Sequence, residues 1–328
     1  MRKLYIAISL MFFFQSLKAQ DIDTIVSHSA DKLRSAGASM GLSIGIVDNG
    51  KISFYHFGTV LKGIAIPPNN KTIYEIGSVT KTFTCLLLAQ AVLDNRVKLK
   101  NDVRAFLREN YPNLQYNGVP IELVQLANLT SGLPNNLPEK MPLFKSADVV
   151  DQLFEIRNIH QAYTKLQFLK DLHAVHVMNK PGLTIAHSNT AAQLLGFTLE
   201  NLYDLSYQEL LAKFITNPLM MNNTYVVVPI DKRVNCAHGY DEKGILMPDI
   251  PQDAAAAGII KSSLPDMMTY VKLQMAEQDS SVKLVHKPTW GDPGDLAVGL
   301  NWMVKTNFDT KRKIWTSGGT FGQFGKHL

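Results

Sequence analysis

The chain has little cysteine, no strongly basic tract and no apolar run long enough to span a bilayer, and each shortage removes a class of protein. Two cysteines, Cys85 and Cys236, in 328 residues cannot build the dense cross-linked framework of a small secreted domain. Cys85 lies in an apolar stretch and reads as a buried free thiol. The nine histidines include no H-E-x-x-H, and His173 with His176 has no third ligand in view. No metal site and no cofactor are read. No G-x-S-x-G elbow occurs, which counts against an α/β-hydrolase. Gly318-Gly319-Thr320-Phe321-Gly322 lacks the spacing of a Walker A loop. No Lys/Arg run is interleaved with aromatics, so nucleic acid is not an expected partner. Repeats and low-complexity segments are absent.

What is there begins with an export signal. Arg2 and Lys3 precede an apolar run from Leu4 to Phe14, and a short polar stretch leads to Ala19. That layout predicts a signal peptide over 1–19 and an exported protein, periplasmic or secreted. An uncleaved N-terminal anchor is the alternative, because Leu17 fits the small-residue cleavage rule poorly. Without residues 1–19 the formal charge falls from +5 to +2, so the basic balance belongs largely to the export signal. The remaining 20–328, with 46% hydrophobic and 19% charged residues overall, can bury a sizeable core as one large domain or two interleaved subdomains.

Periodicity predicts an amphipathic helix over 21–36, with Ile22, Ile25, Val26, Ala30 and Leu33 near helical spacing. Strands follow over 42–47 and 52–57, joined at Asp48-Asn49-Gly50, a hairpin signal. From Val79 to Asp94 an apolar pattern without a polar face predicts a buried helix. Further helices are predicted at about 121–128, 147–158, 161–174, 189–203, 207–216 and 264–277. Strand-like sequence returns at 297–304 and 312–317. The expected fold class is α+β: an antiparallel sheet built from both chain ends, flanked by helices, with a large helical insertion. The sheet part is assigned to 20–75 and 255–328 and the helical part to 76–254.

Ser78-Val79-Thr80-Lys81 stands at the mouth of the buried helix. Residues three apart share a helix face, so the Ser78 hydroxyl and the Lys81 amine can meet. Burial penalises the charged amine and turns it into a usable base for a hydroxyl that is otherwise a poor nucleophile. A capping serine beside a snorkelling lysine is the plain alternative. Two other segments bear on the choice: Pro181-Gly182-Leu183-Thr184-Ile185-Ala186-His187-Ser188-Asn189, and Trp315-Thr316-Ser317-Gly318-Gly319-Thr320. Bare glycine backbone in the latter lets a substrate lie along the strand and frees N–H groups for an oxyanion hole.

In this order the three segments resemble the S-x-x-K, Y-x-N and K/H-T-G motifs of class C β-lactamases and penicillin-binding proteins. Leu126-Ala127-Asn128-Leu129-Thr130-Ser131-Gly132-Leu133-Pro134 is similar to the family's L-x-x-H-T-S-G-L-P, and Asn217-Pro218-Leu219-Met220-Met221 to its P-L-G-M. Ala257-Gly258 through Ser263, with Asp266-Met267, resembles A-G-G-L-x-S-T-x-x-D-M. Tyr116-Asn117-Gly118 resembles the periplasmic D-Ala carboxypeptidase/endopeptidase branch. The likeness covers roughly 22–325. It implies a β-lactamase/transpeptidase-like fold, a monomer, and a small-molecule or peptidoglycan-peptide substrate. By carry-over, Ser78 is the nucleophile, Lys81 its base, and His187 the proton shuttle. Ser78 and Gly319 supply the oxyanion N–H groups. Asn189, Asn136, Thr316, Ser317 and Gly318 contact substrate.

Three departures qualify this. His187 replaces the motif tyrosine; histidine can do the same proton work, or it is an ordinary loop histidine left after activity decayed. Thr316 replaces the cation or histidine, which weakens recognition of an anionic substrate by about 1.5–3 kcal/mol if a charged hydrogen bond is lost. Lys313 points to the opposite strand face and does not replace it. The chain stops at Leu328, where the family continues with further strands and a helix, so the C-terminal end is expected to be shortened and the last strand left as an edge. Three functions follow: hydrolysis of β-lactam or D-Ala-D-Ala amides, hydrolysis of small acyl esters, or a silent binding or regulatory homologue.

Overall fold

A computed structural model describes residues 22–35, 41–138, 149–240, 245–246, 255–306 and 313–316. The first helix, α1, runs over 22–35. Its buried stripe is narrower than the periodicity predicts: Val26 and Ala30 are buried one turn apart, while Ile25 and Leu33 are exposed. Strands β1 (Gly41–Asp48) and β2 (Lys51–Gly58) pair in the predicted hairpin, with Asp48 opposite Lys51. Asn49 and Gly50 both take positive φ, the two-residue turn whose twist matches that of the strands.

A short strand, β3 (Ile73–Glu75), leads toward the nucleophile. It is tied to the hairpin by a polar relay. Ser43 Oγ meets His56 Nδ1 at 2.9 Å and the Tyr74 hydroxyl at 2.8 Å, and His56 Nε2 meets Asn70 Oδ1 at 2.8 Å. Gly77–Val79 then forms a 3-10 turn that runs into α2 (Thr80–Leu93). As predicted, α2 is buried along nearly its whole length.

The middle of the chain is mainly helical: α3 (Leu123–Ala127), α4 (Val149–Ala162), α5 (Lys165–Leu172), α6 (Asn189–Tyr203) and α7 (Tyr207–Leu211), the last continuing as a π turn over Ala212–Thr216. A small hairpin, β4 (Gln115–Tyr116) with β5 (Val119–Pro120), precedes α3, and β6 (Thr224–Tyr225) follows the π turn. Helix α6 starts where Ser188 Oγ accepts the Ala191 N–H at 2.9 Å, a side-chain cap for an otherwise unpaired amide.

The last third opens on helices: α8 (Ala255–Gly258), α9 (Leu264–Ala276) and α10 (Ser280–His286), with β7 (Lys261–Ser263) between the first two. Sequence periodicity finds α9 and misses α8 and α10, which are too short to show a full helical repeat. Strand β7 is central to a three-stranded sheet, order β3-β7-β6, and it is here that early and late chain meet. The predicted strand over 297–304 is two strands. Its residues fall in β9 (Leu296–Val298) and β10 (Met303–Thr306), separated by a turn in which Gly299 N–H reaches the Trp302 carbonyl and Asn301 takes φ 58°. With β8 (Trp290–Asp292) and β11 (Lys313–Thr316) they form an antiparallel sheet of order β11-β10-β9-β8.

The core gathers around α2. Phe83 stacks on Tyr270 of α9 with ring centroids 4.0 Å apart, and the Tyr270 hydroxyl donates to Thr82 Oγ1 at 3.0 Å. Helix α9 in turn lies on β1, where a side chain at Gly45 would run into Met268. Among the described residues no helix is long and apolar enough to cross a membrane.

Candidate active site

The site is built from the end of β3. Glu75 pairs with Lys261 across the sheet at 3.2 Å, and the Ile76 N–H donates to the Ile260 carbonyl at 2.9 Å. Gly77 then takes φ +53°, a left-handed conformation that costs side-chain-bearing residues about 1–2 kcal/mol. That turn lifts Ser78 out of the strand, half-buried, at the start of the buried helix. Ser78 therefore sits in the 3-10 turn rather than in α2 itself. Among the described residues no carbonyl accepts its N–H, in keeping with the open donors of a helix's first turn.

Lys81 is 3% exposed and its Nζ has three partners: Ser78 Oγ at 2.9 Å, Asn189 Oδ1 at 2.7 Å and the Ala257 carbonyl at 2.6 Å. Burial pulls its pKa down to about 7. The buried Cys85 thiol lies near enough to oppose that shift only as a thiolate, and burial pushes its own pKa up. Near neutral pH the amine is thus charged part of the time and free for the rest. When it is neutral it has two N–H donors and one lone pair. The Asn189 and Ala257 oxygens can only accept, so they take both donors, and the lone pair is left for the Ser78 hydroxyl proton. That is the geometry of a general base on a nucleophile.

The two acceptors that flank Lys81 are themselves fixed. Asn189 Nδ2 donates to Asn136 Oδ1 at 2.8 Å, which sets which end of the Asn189 amide faces the lysine. The Ala257 carbonyl is positioned through α8. Thr84 Oγ1 donates to the Ala256 carbonyl at 2.8 Å and receives the buried Tyr207 hydroxyl at 2.7 Å, while the Ala256 N–H donates to Gln193 Oε1 at 3.1 Å. Helix α6 can approach α8 because residue 196 is glycine: a Cβ there would lie 2.3 Å from the Ala256 Cβ.

His187 is exposed, with Nδ1 2.7 Å from Asn135 Oδ1. Its pKa is lowered, first by desolvation and then by the charge of Lys81. The loop that carries Asn135 is laced to the His187 segment. The Asn135 carbonyl accepts the Asn189 and Thr190 N–H groups at 2.8 and 3.1 Å, and Ser188 Oγ donates to the Pro134 carbonyl at 2.8 Å.

Of the residues singled out by sequence, Ser78, Lys81, Asn189 and Asn136 form one hydrogen-bonded chain, and the field of Lys81 reaches His187. Thr316 is exposed on β11 opposite Met303. Ser317, Gly318 and Gly319 lie outside the described residues. Two participants escape a reading by motif. The Ala257 oxygen belongs to the backbone and has no side-chain signature. Asn135 sits directly after the Leu133-Pro134 of a recognised segment, but only its proximity to His187 gives it a role.

The model of the family described as Beta-lactamase matches residues 23–326. A β-lactamase from Pseudomonas fluorescens is 27% identical over 259 residues, covering 78% of this chain and 66% of that protein. Protein flp from Staphylococcus aureus (strain MRSA252) is 28% identical over 305 residues, covering 88% of this chain and 56% of that protein. The chain therefore spans somewhat over half to two-thirds of the length of these relatives. Among solved structures, the β-lactamase/D-alanine carboxypeptidase from Yersinia pestis complexed with citrate superposes with a TM-score of 0.75 at 24% identity, over 91% of this chain and 85% of that one. At that identity the likeness establishes the fold.

Proposed function

The chain belongs to the β-lactamase family, and we propose that it is a serine hydrolase working through an acyl-enzyme on Ser78. The observation that carries this is the placement of Lys81 Nζ, 2.9 Å from Ser78 Oγ with two obligate acceptors on its other side. A surface lysine that merely snorkels past a capping serine has no such arrangement, which also weighs against a silent homologue.

In acylation the Ser78 oxygen bonds to the substrate carbonyl carbon while its proton passes to the Lys81 amine. The bond to the leaving group then breaks, and that group receives the proton by way of His187. In deacylation a water oxygen bonds to the acyl carbon, its proton goes to His187, and Ser78 Oγ departs with a proton returned to it. The Ser78 N–H, and by family resemblance that of Gly319, stabilise the oxyanion. Asn189 and Asn136 offer amide groups to the substrate.

The substrates that fit are amide bonds of β-lactams or of D-Ala-D-Ala peptides, as in the relatives named β-lactamase and D-alanine carboxypeptidase. Thr316, in place of a cation, favours a second reading, hydrolysis of small acyl esters, which need no anchor for a carboxylate. Such a protein works outside the cytoplasm, delivered by the segment 1–19.

Intact-mass spectrometry after incubation with a fluorescent penicillin and with a fluorophosphonate tests the proposal. One adduct on Ser78, absent from Ser78→Ala, is the expected result. A folded protein that gains no mass with either reagent rejects it. Comparing kcat/KM for nitrocefin, a D-Ala-D-Ala peptide and a short acyl ester then separates the amide and ester readings.

A further inference from the structure

We infer that Asn135 is a positioning residue for His187: its side-chain carbonyl holds the Nδ1 proton and so leaves Nε2 as the lone-pair nitrogen of the ring. The inference rests on the hydrolase reading above and deepens it.

The chemistry of the exchanged residue supplies the reason. In a phenol, donor and acceptor are the same oxygen, so a tyrosine can pass a proton on without any partner to set its state. A neutral imidazole divides the two roles between two nitrogens, and which one holds the proton is decided by what the other contacts. Asn135 Oδ1, 2.7 Å from Nδ1, can only accept. The proton therefore stays on Nδ1, and Nε2 is the base.

The backbone of Asn135 is held in place beside His187. Its carbonyl takes the first N–H groups of α6, those of Asn189 and Thr190, at 2.8 and 3.1 Å. The next residue, Asn136, fixes the Asn189 amide that bonds Lys81. A single turn, 134–136, thus orients both proton-handling side chains, one through each asparagine. Among the described residues Lys81 is the charged group whose field reaches His187, and that field disfavours a proton on the ring. The contact at Nδ1 and that field both favour a neutral imidazole with a decided tautomer.

The test uses the full chain labelled with 15N-histidine, with His187 assigned by its loss in His187→Gln. In the wild type the non-protonated nitrogen is expected to be Nε2; finding Nδ1 there overturns the inference. Asn135→Leu should mix the tautomers and slow deacylation about 10- to 100-fold. Asn135→Asp, which keeps an acceptor and adds a negative charge, should retain the tautomer and move the His187 titration to higher pH. In a His187→Tyr background Asn135→Leu should change the rate by no more than about twofold. An equal loss in both backgrounds, or an unaltered His187 titration in Asn135→Asp, also overturns it. If Ser78 of the wild type takes up no acyl group, the hydrolase reading fails, while the nitrogen shifts still decide the tautomer.

Discussion

Lys81 acts as a base only while its amine is uncharged, and burial brings that condition to about pH 7. Protonation of the amine removes the lone pair that faces Ser78. Acylation of Ser78 should therefore be slow below pH 7, rise through about 7 and level off above it, as pre-steady-state labelling across pH would show. Lys81→Arg keeps a permanent charge and should lose about 10²–10⁴-fold in acylation rate. Asn189→Asp places a carboxylate where an amide oxygen now lies 2.7 Å from Nζ. The favoured ammonium form should then move the midpoint of the same pH profile upward; an unmoved midpoint would assign it to another group. At this scale the sequence was informative about Ser78 and Lys81, because one helical turn brings them together whatever the rest of the chain does. The Ala257 oxygen and Asn135 become partners only when segments far apart in sequence fold against each other.

Elements bring these groups into register through two glycines. Gly77 carries the left-handed turn between β3 and the nucleophile, and Gly77→Ala should cost about 1–2 kcal/mol in denaturant unfolding. Gly196 is the close approach between α6 and α8. An alanine there meets Ala256, whose backbone is pinned on both sides by Thr84 and Gln193, so the helices must part. Gly196→Ala should destabilise by about 1–3 kcal/mol and slow Ser78 acylation, since the Ala257 carbonyl moves away from Lys81. A stability loss with unchanged acylation would show that this carbonyl does not matter to the base. The hairpin β1–β2 and the apolar helix α2 were legible in advance, one from its turn residues and the other from a pattern with no polar face. The α8 segment was not, since four small residues carry no periodicity, and the split of 297–304 depends on a turn whose neighbours in space are other strands.

Over the whole molecule α2 is the hub, joined to α9 by the Phe83–Tyr270 stack and through α9 to the first hairpin. Phe83 is fully buried, and Phe83→Ala should cost about 3–5 kcal/mol, read as a fall in the midpoint of global unfolding. If the hairpin alone loosened while α2 stayed protected in hydrogen exchange, the hub assignment would be wrong. By itself the sequence determined which residues are apolar and at what period, where turns must fall, and that a serine and a lysine three residues apart can meet at the mouth of a buried helix. These are local properties, fixed by bond geometry within a few residues. Only the tertiary structure decided that the amine is dry, which oxygens take its protons, and which nitrogen of His187 is free. Each of those depends on atoms brought in from distant parts of the chain, and desolvation and hydrogen-bond direction have no value until those atoms are in place.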